Sequence, residues 1–160
     1  MQNSTMIHRF AQRALLLLVI GNPLWVGAAH AGLGSDATSV LADGAELHGV
    51  VNCVVRQQYD IQEIGAETGM RVREYLNRDG VVFAVSWNGP VLPDLQLLLG
   101  TRFEEYTTAL AALNHPGLHR SVRVVSSGLI VESGGHLRAY AGRAYLPALI
   151  PAGVPAADLR

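Results

Sequence analysis

The stretch MRVREYLNRDGVVFAVSW, residues 70–87, sets two alternating strand-like runs on either side of Asp79-Gly80. Asp-Gly suits a two-residue type I′ turn, because both central residues of that turn need positive φ. With this tip Arg78 pairs with Val81, and Leu76, Glu74 and Val72 fall opposite Phe83, Val85 and Trp87 on one side. Arg71, Arg73, Tyr75, Val82, Ala84 and Ser86 fall on the other. The second set is smaller and more polar, so the Phe83/Trp87 side is the expected core side.

Working outward, YDIQEIGAETGMRV (residues 59–72) predicts a preceding strand that turns at Thr68-Gly69. A two-residue loop there sends Tyr59 and Ile61 to the core side and brings Glu63 beside Glu74; a three-residue loop exchanges the faces. Further upstream, VVNCVV (50–55) has strand composition, whereas Val40, Leu41, Ala45 and Leu47 suit one side of a short helix.

Downstream the period changes. Leu95, Leu98, Leu99, Phe103, Tyr106, Leu110 and Leu113 recur at three- and four-residue steps, which predicts a helix from Pro93 to Asn114. Pro93 suits its first position and Asp94 its positive dipole end, while Gly100 is a weak point within it. Residues 121–147 then predict two or three more strands, with turns near Ser127-Gly128 and Gly134-Gly135. The expected fold is α+β: an antiparallel sheet of five or six strands, roughly βββ-α-ββ, packed on one main helix.

The first thirty-one residues are set apart. His8, Arg9 and Arg13 precede the apolar run Ala14 to Ile20, and Ala29-His30-Ala31 has the small-x-small pattern of a cleavage site. The pattern predicts a cleaved signal peptide over 1–31 and one exported domain over 32–160, periplasmic or secreted. Asn22 and Pro23 interrupt the apolar run short of a bilayer span, so no membrane insertion is expected after cleavage.

Of the twelve basic residues, Arg9 and Arg13 belong to the leader, so the exported part keeps ten arginines and no lysine against thirteen acidic residues. A mildly acidic chain without a basic block speaks against nucleic-acid binding. Cys53 is the lone cysteine and has apolar neighbours, which predicts a buried, inert thiol.

Candidate chemistry is sparse. Glu63 and Glu74 on one face would form a carboxylate pair with one raised pKa, suited to acid/base work. The simpler reading pairs them with Arg56, Arg71, Arg73 or Arg138 at the sheet margin. His115 and His119 have a four-residue spacing found in zinc sites, but Pro116-Gly117 separates them and no third ligand is identifiable. Ser86, Ser126, Ser127 and Ser133 lack a nucleophile elbow, and the glycines of SGGHLRAYAG (133–142) open no helix that would cradle a phosphate.

Two long runs, VREYLNRDGVVFAVSWNGPVLPDLQLLLG (72–100) and VESGGHLRAYAGRAYLPALIPAGV (131–154), resemble the bacterial exported proteins of domain-of-unknown-function family 2844. The resemblance spans residues 32–160. It implies export and supplies no activity and no site residues. The leading functional expectation is a non-enzymatic binding or interaction domain without a cofactor, its partner an unknown envelope protein or small ligand. The rival is a small envelope hydrolase or metal-dependent enzyme using Glu63 and Glu74 or the histidines.

Overall fold

The computed structural model describes residues 32–113 and 121–160. The expected leader, His115, His119 and the end of the predicted helix at Asn114 lie outside them. The chain runs α1 (Ala37–Glu46), β1 (Gly49–Val55), β2 (Asp60–Ala66), β3 (Arg71–Leu76), β4 (Val82–Gly89), α2 (Leu95–Leu99), a 3-10 turn (Gly100–Arg102), α3 (Phe103–Ala111), β5 (Ser121–Val125), β6 (Ile130–His136) and β7 (Ala139–Tyr145). All seven strands join one antiparallel sheet in the order β1-β2-β3-β4-β7-β6-β5. The α+β class stands, but the described residues form seven strands rather than five or six.

The additional strands have local causes. Asp36 accepts hydrogen bonds from the Thr38 and Ser39 amides at 3.0 and 3.3 Å, an N-cap that starts α1. The helix ends before His48, which takes φ 48°, and the VVNCVV run then pairs along its whole length with β2. The segment therefore uses helix and strand in succession. Residues 121–147 supply three strands.

The 70–87 hairpin corrects one expectation twice over. Gly80 at φ 75° and the Gly80 N–H to Asn77 carbonyl bond of 3.0 Å make the loop three residues, Arg78 to Gly80, with Asn77 facing Val81. The extra loop residue alone would shift every later pair by one. A β-bulge absorbs it: Leu76 pairs with Val82 but Tyr75 with Ala84, so Val72–Trp87 and Glu74–Val85 pair as expected. The bulge arises where Val82 turns its amide and carbonyl to Ser35 and Gly34, at 2.9 and 2.8 Å. As a result Phe83 and Val82 exchange faces relative to the sequence reading.

One open alternative is decided and two further corrections follow. The Glu67-Thr68-Gly69 loop also has three residues, closed by the Ala66 N–H to Met70 carbonyl bond of 2.8 Å, so Glu63 pairs with Arg73 and Glu74 with Gln62. Gly134 and Gly135 remain inside β6, and the chain turns at Leu137-Arg138 instead. That register sets Val131 against Ala144 and Glu132 against Arg143, whereas a turn at the glycines would set Val131 against Arg138. Finally, the single long helix is broken at Gly100, φ 52°, because the Leu33 N–H takes the Leu98 carbonyl at 3.1 Å. Pro93 precedes the helix, whose N-cap is Asp94, accepting from Gln96 and Leu97 amides at 2.9 and 3.2 Å.

Each sheet face has its own core. Under the helices lie Val40, Ile64, Val72, Val85, Trp87, Leu98, Leu99, Tyr106 and Val131. On the other face Tyr75, Phe83, Ala84 and Tyr145 pack with Tyr59 and Ile61 beneath the C-terminal segment, whose Leu159 is buried.

Candidate functional site

Beside that second core the sheet carries a polar row. Cross-strand register places Asn52, Glu63, Arg73, Ser86, Arg143, Glu132 and Arg123 side by side from β1 to β5, one residue from each strand. The row is nearly palindromic about Ser86: an arginine and then a glutamate stand on either side of it. Glu63 holds Arg71 and Arg73 at 3.3 and 3.4 Å. Glu132 holds Arg123 and Arg143 at 3.2 and 2.6 Å.

The middle and β5 side of this row form the floor of an open cleft of about 740 Å³. Arg71, Arg73, Arg123 and Arg143 line it, with Ser86, Ser121 and Ser133 as neutral polar groups and Glu132 as the lining acid. Even after Glu63 is added, two side-chain carboxylates face four sheet arginines, and Arg160 adds a fifth arginine to the lining. The cleft is thus a basic region on a chain whose formal charge is −1. Two carboxylates cannot saturate four guanidiniums, each of which carries five donors in a planar fork.

The C-terminal segment walls one side through its main chain. Arg73 Nη1 donates to the Arg160 oxygen at 2.6 Å and Tyr75 hydroxyl donates to the same atom at 3.1 Å. Arg143 Nη1 donates to the Ala156 carbonyl, and its guanidinium lies 5.6 Å from the centre of the Tyr145 ring. Gln58 Nε2 reaches the Ala152 carbonyl at 2.7 Å. These contacts order Arg73 and Arg143, while the side chains of Arg71 and Arg123 stay 55% and 62% exposed.

A carboxyl pair does exist, but with another partner. Glu74 and Asp43 of α1 are both buried beneath the helices. Burial, then the hydrogen bond and the charge of Asp43, push the Glu74 carboxyl up to about 9. At neutral pH Glu74 is protonated and donates to Asp43. With 0% of Glu74 exposed, the proton has no route to a substrate in the cleft on the opposite face. The pair fastens α1 to β3.

Of the sequence candidates, Glu63 and Glu74 are separated by the sheet, and Glu63 makes the arginine pairs of the simpler reading. His115 and His119 lie outside the described residues. Among the described residues no group of three His, Cys, Asp or Glu could hold a metal ion. Ser86 sits at the centre of the row, its oxygen 3.3 Å from the Tyr75 hydroxyl, and among the described residues no histidine lines the cleft around it. Cys53 is exposed rather than buried, since β1 is an edge strand and no described residue covers its middle. His136 is exposed at the end of β6. Asp43, Arg123 and Arg143 were not singled out by sequence; the alternation of arginine and glutamate with apolar residues was the available signal.

A family model described as "Protein of unknown function (DUF2844)" matches residues 29–159. No curated protein and no solved structure matches the chain. No helix among the described residues is long and apolar enough to cross a membrane.

Proposed function

The chain belongs to the DUF2844 family, proteins of unknown function, and from that premise we propose that it is an exported, non-enzymatic binding domain whose arginine-lined cleft takes an anionic small ligand. The polar row carries this reading. Arg73 and Arg143 flank Ser86, held in place by the C-terminal segment, while Arg123 at the β5 end of the row and Arg71, two residues before Arg73 on β3, stand exposed. Guanidinium forks match carboxylate and phosphate groups bidentately, and a partly ordered fork loses less entropy on binding. The leader pattern over 1–31 supports a periplasmic location. The rival hydrolase has less support: neither glutamate of the row is free of arginine, and among the described residues no histidine lines the cleft beside Ser86.

Calorimetric titration with inorganic phosphate, citrate and succinate tests the proposal. At least one of these anions is expected to bind, with affinity falling about tenfold or more in Arg123→Gln and in Arg71→Gln, the loss expected when a charged hydrogen bond is removed. Anions that fail to bind, or bind equally well to both variants, would overturn it.

A further inference from the structure

Among the described residues the edge of the sheet at β1 is unpaired and has none of the devices that normally keep an edge from pairing. Gly49–Val55 is seven residues long, contains no charge and no proline, and pairs with β2 without a bulge. Val50 and Val55 are 69% and 70% exposed, and Cys53 is exposed between them. The opposite edge, β5, by contrast carries Arg123.

The backbone pattern tells which groups are open. The Arg56 N–H bonds to the Tyr59 carbonyl at 2.9 Å, and antiparallel alternation then directs the main-chain groups of Val54, Asn52 and Val50 toward β2. Those of Gly49, Val51, Cys53 and Val55 point outward. An identical strand laid antiparallel alongside matches them in one register that uses the full length of β1: Gly49 opposite Val55, Val51 opposite Cys53, and Asn52 opposite Asn52 on the two-fold axis.

We propose that β1 is a homodimer interface, pairing antiparallel with β1 of a second copy about a two-fold axis at Asn52. Three observations select a second copy as the occupant. Asn52 interrupts an otherwise apolar run, and asparagine is depleted in strands; its amide is both donor and acceptor and so is complementary to itself across the axis. The ends of the strand are also complementary. Exposed Glu46 stands two residues before His48 at one end and exposed Arg56 at the other, so antiparallel pairing brings Arg56 of each copy to the Glu46 end of its mate. Lastly, Asn52 is the outermost member of the polar row, so the two-fold joins both rows into one band across a continuous sheet.

Sedimentation equilibrium of the purified protein, with reductant present, is expected to show a concentration-dependent dimer. Cys53→Pro deletes an outward N–H while sparing the ladder to β2, and is expected to yield monomer with an unchanged circular dichroism spectrum. Val50→Lys/Val55→Lys is expected to do the same by charge repulsion. In a Cys53→Ser background, Asn52→Cys is expected to form a disulfide-linked dimer on mild oxidation, because its Cα atoms would lie about 4.5 Å apart across the axis. Val50→Cys in that background faces Val54 and is expected to remain unlinked. A protein that is monomeric at every concentration, a dimer that vanishes with reductant, a dimer that survives both edge variants, or equal cross-linking at positions 50 and 52 would overturn the proposal.

Discussion

Beneath the helices Glu74 and Asp43 are 0% and 1% exposed and share a proton, whereas on the other face the side chains of Glu63 and Glu132 are 28% and 29% exposed and each holds two arginines. Glu74 is a chain neighbour of Arg73, one pleat away from the polar row. The contrast shows two ways for a sheet to carry acids. Where water is excluded, charge is removed by protonation; where water reaches, it is balanced by cations. Only the second arrangement can exchange an internal counter-ion for a ligand.

The first way to break the comparison is to ask whether the second face is a core at all. Phe83 is fully buried there, its ring centre 6.0 and 6.2 Å from those of Tyr59 and Tyr75. Phe83→Ala is expected to cost about 3–5 kcal/mol in urea unfolding. A loss below about 1 kcal/mol would mean that the C-terminal segment is a loose cover and that the helix side alone stabilises the fold.

The buried acid pair gives the next effect. Glu74 rises from an ordinary 4.5 to about 9 in the folded protein, so the folded state holds that proton more tightly than the unfolded chain does. Its contribution to stability is full below 4.5 and is lost as pH rises to about 9. The wild type is expected to lose on the order of a few kcal/mol between pH 5 and pH 9. Glu74→Gln retains a donor for Asp43 but has no proton to lose, so its unfolding free energy should vary much less over that range. Parallel curves for the two proteins would show that the pair does not govern the helix side.

The strand pattern around residues 70–87 was legible because alternation and the Asp-Gly tip are local. The predicted pairs Val72–Trp87 and Glu74–Val85 form because the longer loop and the bulge offset each other, and neither had a separate sequence signal. The Glu63/Glu74 face assignment depended on a loop length that Thr68-Gly69 does not specify. Gly134-Gly135 misled because cross-strand partners outweigh a glycine pair in setting register. The polar row was illegible for a different reason: it requires β4 to pair with β7, a long-range contact bringing Ser86 to Arg143. Arg71 and Arg73 could be assigned to a polar face, but the residues that complete the cleft could not.

The smallest stability effect separates the two faces most directly. Glu132 bridges two arginines at a partly exposed site, where ion pairs contribute about 0–1 kcal/mol and are screened by salt. Glu132→Gln is therefore expected to change unfolding free energy by less than about 1 kcal/mol. It removes the negative charge that lines the cleft and releases the forks of Arg123 and Arg143, so phosphate or citrate should bind more tightly, with a steeper dependence on salt. A large stability loss with no gain in anion affinity would make Glu132 a structural acid like Glu74, and would mean that both faces of the sheet use their charges for folding rather than for binding.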